Sequence, residues 1–329
     1  LELSGRKGSV ALETDAFGNP IILGERLQET SHPGRNLITH INRSLQFLAE
    51  QKLSEGINKF GAISGTITIM EPKTGAIIAM ASNPNYDPAH FDLYPRELHP
   101  NPLISQSYEP GSTFKVLVMA AAINEGVVNS ETRCPCKGPE YIGGYGISTW
   151  DDRYHPDSTI SDIIQHSDNV GMVFTQRQLG EAKMLEYIEK FGFGQITGID
   201  LQEESSPKLK KTWREIDYAT ASFGQGIAVT PLQLITAASA LANQGTMMQP
   251  QVVDKIVDNG EIIEINPQPI RQVISPESAK QITEIMINAV KHGEAKWATP
   301  PGYRIAGKAG TAQIPVEGVY EAEKTLTSF

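Results

Sequence analysis

The sequence predicts an α+β fold in which an antiparallel sheet is flanked by helices. Three observations carry this. Strand-like runs come as neighbouring pairs closed by turn residues, as in 63–70 and 76–81 around Glu71-Pro72-Lys73-Thr74-Gly75. A second pair, 251–257 and 261–265, closes on Asn259-Gly260, a favoured hairpin turn. Helical segments lie between and on either side of these pairs instead of alternating with single strands.

Taken in order, residues 1–35 are polar and punctuated by Gly and Pro, with short apolar pieces at 9–12 and 20–23, and read as hairpins of a small β-rich element. Leu37, Ile41, Leu45, Leu48 and Ala49 recur at a helical period, which predicts a helix over 36–55. The first strand pair follows, then a Pro- and Asn-rich loop over 82–106. Pro110-Gly111 precedes an unbroken apolar run, placing a helix start near Ser112. After an irregular stretch over 129–158, Thr159 caps a short helix, and helical periodicity runs on through 170–191. Residues 231–243 form an apolar helix with Pro231 in its first turn, and 275–290 an amphipathic one capped by Ser275. Apolar alternation over 303–314 reads as a last strand.

Composition narrows the function. The 329 residues carry a formal net charge of −10, with no basic footprint for nucleic acid. No stretch has the apolar length of a membrane span; 226–243 comes nearest but contains Pro231 and Gln233. The seven histidines show no ligand spacing, so neither a metal nor a cofactor is expected. Cys134 and Cys136 flank Pro135 and read as free thiols or a labile bridge rather than half a metal site.

The chemistry centres on Ser112 and Lys115. Val116 to Ile123 is apolar on nearly every side, so the helix behind Ser112 is expected to be buried, and its positive end converges on the hydroxyl. Lys115 sits one turn on, on the same face, and a buried ammonium without a purpose is costly. Most serines at helix starts only cap. The Ser-x-x-Lys pattern also recurs at Ser4/Lys7 and Ser205/Lys208, but in polar stretches with no buried helix behind them. Ser112 and Lys115 are therefore the candidate nucleophile and base.

Ser-x-x-Lys, Ser-x-Asn and Lys-Thr-Gly together mark penicillin-interacting serine enzymes. The second element is Ser167-Asp168-Asn169. A literal Lys73-Thr74-Gly75 occurs, but it precedes Ser112 and belongs to a hairpin tip. Lys308-Ala309-Gly310-Thr311 follows the other two elements and is taken as the third.

The wider text, TITIMEPKTGAIIAMASNPNYDP, SQSYEPGSTFK, FGFGQITGIDL, ASFGQGIAVTPLQLITAASALANQG and GKAGTAQ, resembles the transpeptidase domain of class B penicillin-binding proteins. The likeness runs over about 33–329, and 1–35 resembles the end of that family's N-terminal pedestal. It implies a β-lactamase/transpeptidase-like sheet of five antiparallel strands. It implies a peptidoglycan D,D-transpeptidase that cross-links stem peptides ending in D-Ala-D-Ala and is acylated by β-lactams. It also implies a membrane anchor, an extracytoplasmic catalytic face, and wall-synthesis partners such as a glycosyltransferase. Anchor and C-terminal end lie outside this sequence, and the early strands are then expected to lack a partner and favour aggregation.

By the same resemblance Ser112 attacks the penultimate carbonyl, Lys115 is the base, Ser167 relays a proton and Asn169 holds the substrate peptide. Lys308, Gly310 and Thr311 receive the substrate carboxylate, and Gln225 and Gly226 shape the far wall of the cleft or form a plain turn. Ala309 departs from the family's Thr or Ser, removing a hydroxyl beside the carboxylate. Two alternatives stand beside the transpeptidase: a serine β-lactamase, although no Glu-x-x-Leu-Asn lies between Asn169 and Lys308, and a β-lactam sensor that binds without turnover.

Overall fold

The computed structural model describes residues 2–22, 26–316 and 319–329. At the N-terminal end, Ser9–Leu12 and Arg26–Glu29 pair antiparallel with every residue exposed. Of the apolar piece at 20–23, Leu23 lies outside the described residues.

The helix expected over 36–55 spans Arg43–Phe60. Asn36–Thr39 is instead a strand, paired with Val253–Asp258, whose other edge takes Glu261–Glu264. A partner more than two hundred residues away outweighs local periodicity here. Asn42 stops the strand and starts the helix, its side chain accepting from the N–H groups of Ser44 and Leu45. The helix lays Ala49 and Leu53 on Ala79 and Ala81 of the hairpin Gly65–Met70/Ile77–Asn83. At the tip of that hairpin Gly75 adopts φ +82°, and a Cβ there would collide with the Gln249 carbonyl. Lys73 is exposed at the same tip.

The core is built around Lys115–Asn124, of which every residue but the last is buried. Asn169–Leu179, Glu181–Lys190 and Pro276–His292 enclose it. Each fully buried Leu or Met, such as Leu117 and Met119, contributes about 1.5–3 kcal/mol. The periodicity over 170–191 is two helices, because Gly180 takes φ +82° with an extended ψ of 153° that no helix contains. Both helices bury the same side of the sequence pattern, so the break leaves no mark on the periodicity. Cys134 and Cys136 are joined as a disulfide, which selects the bridge from the two readings of that pair.

The strand expected over 303–314 begins only at Gly310 and runs to Val316, pairing with Val319–Ser328. Before it, Gly307 is wedged between Phe329 and Val290 instead of facing a ladder partner. The early and late hairpins are each two-stranded.

Candidate active site

Ser112 lies in a single 3-10 turn, Gly111–Phe114, that feeds directly into the buried helix. Two close backbone approaches hold this turn. The N–H of Gly111, at φ +57°, donates to the Gly224 carbonyl at 3.0 Å, and a Cβ on Gly224 would run into Gly111 itself. On the other side Gly310 approaches Thr113 N and Pro110 O so closely that a Cβ would lie 2.9 and 3.1 Å from them. Gly111 in turn abuts the Thr311 carbonyl. The third motif is thus docked, backbone to backbone, against the serine turn. Lys73 sits at its hairpin tip, in a solvated turn.

Lys115 has no exposed surface. Its Nζ lies 2.6 Å from the Ser167 carbonyl, 2.8 Å from Asn169 Oδ1 and 3.3 Å from Ser167 Oγ. Burial holds its pKa well below the ordinary lysine value, and the neighbouring charge of Lys308 pushes the same way against the smaller opposing effects of Asp168 and Glu294. The two carbonyl oxygens accept from Lys115 Nζ, and Ser167 Oγ lies within hydrogen-bond reach of the same nitrogen.

Ser167 reaches this position through φ +53°, a left-handed conformation costing a non-glycine residue on the order of 1–3 kcal/mol. The next residue supports it. Asp168 Oδ1 accepts from the N–H groups of Val170 (2.8 Å) and Gly171 (3.0 Å), capping the helix that Asn169 opens. Asn169 is held from both ends of its amide, since Nδ2 donates to the Ser148 carbonyl at 3.0 Å while Oδ1 faces Lys115.

Lys308 is 8% exposed, and its Nζ donates to the Ala309 carbonyl at 2.8 Å. Burial lowers its pKa to about 8, with Glu294 acting in the opposite sense. Ser112, Lys115, Ser167, Asn169, Lys308, Gly310 and Thr311 therefore converge from three distant parts of the chain. The loop holding Gln225 and Gly226 meets the site through Gly224. Gln225 N donates to Thr220 O at 3.1 Å, and Gly226 lies beside Thr220 and Lys210. Ser148 and Glu294 were not foreseen. A backbone acceptor has no sequence signature, and Glu294 belongs to no motif.

Gly224→Ala is expected to lower stability by at least about 1 kcal/mol and to slow penicillin acylation, because φ +79° and the collision with Gly111 both oppose a Cβ. Thermal melting and the labelling rate check the two parts.

Three motifs meeting at one turn mark a family, and the profile of the penicillin binding protein transpeptidase domain matches residues 65–329. The chain belongs to this family. The resemblance to class B penicillin-binding proteins is thereby borne out. Among relatives, stage V sporulation protein D of Bacillus subtilis is 34% identical over 337 residues, covering 100% of this chain and 52% of the relative. Peptidoglycan D,D-transpeptidase FtsI of Escherichia coli is 30% identical over 315 residues, covering 94% and 51%. The chain spans about half the length of these curated relatives. Among solved structures, penicillin-binding protein 3 of Mycobacterium tuberculosis in its apo form superposes with TM-score 0.85 at 25% identity, over 96% of this chain and 76% of that one. Penicillin-binding protein 2X of Streptococcus thermophilus gives 0.84 at 26% identity, over 98% and 50%. The Mycobacterium tuberculosis protein has also been solved in complex with aztreonam and with ampicillin. Among the described residues of this penicillin-binding domain, no helix is long and apolar enough to cross a membrane.

Proposed function

We propose that the chain is the acyl-transferring part of a peptidoglycan D,D-transpeptidase acting through a serine acyl-enzyme. The supporting observation is Lys115, wholly buried, bonded to Ser167 and Asn169, and one turn from Ser112. Ser112 Oγ attacks the penultimate carbonyl of a D-Ala-D-Ala stem peptide while Lys115, neutral through burial, takes its proton. Ser167 returns a proton to the leaving D-alanine amine. The N–H groups of Ser112 and Thr311 receive the oxyanion, a contribution of about 2.7–4 kcal/mol per donor in such sites. Lys308 and the Thr311 hydroxyl bind the terminal carboxylate, and an amino group of a second strand takes the acyl group. β-Lactams enter as donor mimics whose acyl group does not leave.

Burial lowers the pKa of both lysines, and in this reading they divide the work: Lys115 is the base and Lys308 the cationic anchor. In this reading residues 1–35 end an N-terminal pedestal and 36–329 form the transpeptidase domain. The catalytic face lies outside the cytoplasmic membrane, beside an anchor and a partner glycosyltransferase. Intact-protein mass spectrometry after incubation with a labelled penicillin tests the proposal: one stable adduct on Ser112 is expected, and no adduct, or one on another residue, refutes it.

The two Lys-x-Gly sequences are separated by mutation and pH. Lys308→Ala removes a charged bond to the ligand carboxylate and is expected to slow acylation about ten- to a hundredfold, whereas Lys73→Ala leaves the rate unchanged. A lysine whose pKa lies near 8 is charged below it and loses that charge above it, so acylation is expected to fall as pH rises through about 8. Lys308→Ala should flatten that limb. A pH series of labelling rates on the three proteins checks both.

A further inference from the structure

The chain carries a formal net charge of −10, yet residues 205–214 hold four cations, Lys208, Lys210, Lys211 and Arg214, and no anion. Leu209 and Trp213 of this irregular segment pack against the main core, while all four charged residues stay exposed. Trp213 Nε1 donates to the Lys210 carbonyl at 2.9 Å and closes the run into a turn. One buried carboxylate, Asp217, serves two of the cations: Lys210 Nζ lies 2.7 Å from its Oδ1 and Arg214 Nε 3.1 Å from its Oδ2. The neighbouring Glu215 turns instead toward Arg177, at 3.8 Å. No ion pair among the described residues engages Lys208 or Lys211. This lip is a standing surplus of positive charge on an acidic protein, held in place before any ligand arrives.

The lip borders the serine turn. Tyr108 and Val229 exchange backbone hydrogen bonds of 2.9 Å, and Gly111 N donates to Gly224 O, so 224–229 runs antiparallel beside 108–111. Lys210 Nζ stands against that segment, 3.5 Å from where a Cβ on Gly226 would be. Gly310 and Thr311 close on the serine turn from the other side. Ser112 thus lies between two cationic stations, Lys308 with the third motif and Lys210 with Arg214. A donor whose terminal carboxylate is held on the Lys308 side extends its acyl portion past Ser112 toward the other station. We propose that Lys210, backed by Arg214, is a specificity-determining contact that selects donor peptides carrying a second carboxylate, on the side chain just upstream of D-Ala-D-Ala. The inference rests on the acyl-transfer reading of the site. Backbone advances about 3.3–3.6 Å per residue, so a side chain of four or five carbons spans the two residues from Gly224 to Gly226. An ammonium has three N–H groups and Asp217 takes one of them, so a ligand carboxylate gains a charge-assisted bond without displacing Asp217.

The test uses two depsipeptide donors that differ by one charge: Nα-acetyl-L-α-aminopimelyl-D-Ala-D-lactate, with a side-chain carboxylate, and the same molecule with that group as its carboxamide. Quenched intact-protein mass spectrometry gives the rate at which each forms the acyl-enzyme. The carboxylate donor is expected to acylate about tenfold faster, an advantage that shrinks as added salt screens it. Lys210→Gln is expected to lower that ratio at least about threefold. The new amide still donates to Asp217, and both donors are read on one protein, so any loss of folded material cancels in the ratio. Lys308→Ala is expected to slow both donors and keep the ratio, which separates this contact from the one at the terminal carboxylate. A ratio near one in the unaltered protein, or a ratio that Lys210→Gln leaves unchanged, overturns the proposal. Failure of both donors to form an acyl-enzyme with the unaltered protein refutes the acyl-transfer reading itself, and the contact with it.

Discussion

Ser112→Ala is expected to abolish penicillin acylation, lowering the rate by at least about four orders of magnitude while leaving the fold in place. Removing the nucleophile of a catalytic unit costs on that scale, because the remaining members have nothing to activate. The fold is spared for a local reason. Ser112 is half-buried in a turn set by backbone contacts of Gly111, Gly224 and Gly310, none of which uses the Ser112 side chain. Melting curves of the two proteins should therefore nearly coincide, while intact mass shows the adduct in one only. An adduct that persists in the alanine variant would place the nucleophile elsewhere and remove the mechanism.

Lys115→Met is expected to slow acylation about 10²- to 10⁴-fold, the usual worth of a positioned base. Combined with Ser112→Ala it should cost nothing more. It also carries a signature that loss of activity alone does not. Burial holds the Lys115 pKa in the folded chain below its unfolded value. Between those two values the unfolded chain binds more protons, so stability rises with pH across that window. The cost of keeping the amine neutral is full below the folded pKa and vanishes above the unfolded value of about 10.4. Methionine has no such dependence. The melting-temperature difference between the unaltered protein and the variant is thus expected to move in favour of the unaltered protein as pH rises from neutrality toward 10. A difference that stays flat over that range would mean that Lys115 is charged in the folded state.

Much of this site is legible in the sequence, and the reason is chemical. Ser112, Lys115, Ser167 and Asn169 are side-chain types whose spacing is constrained by the turn or helix that carries them, so the pattern survives in one dimension. Lys73 could be set aside on the same logic, because Pro72 and Gly75 announce a turn around it. What escaped depends on atoms or partners that the local sequence does not encode. The Ser148 carbonyl that fixes Asn169 is backbone. Gly224 touches the serine turn across more than a hundred residues, and nothing in the loop Gly224-Gln225-Gly226 says which member makes the contact. The strand Asn36–Thr39 owes its existence to Val253–Asp258 and would be helix by periodicity alone. Gly180 breaks a helix without disturbing its apolar pattern, since the segments on either side bury into the same core.

The backbone interlock of Gly111 with Thr311, and of Gly310 with Thr113, has a consequence in time. Its two halves lie about two hundred residues apart in the chain, so this contact forms late and closes a very long loop. A chain emerging from the ribosome N-terminus first carries Ser112 and Lys115 long before it carries the strand that finishes their surroundings. Until that strand docks, the Thr311 N–H and the Lys308 charge, which the proposed mechanism assigns to the oxyanion and the carboxylate, are both missing beside Ser112 and Lys115. On the proposed mechanism, copies in which this strand has not docked are expected to acylate slowly. The binding of a fluorophore-labelled penicillin, followed during refolding, becomes a clock for the last step of assembly.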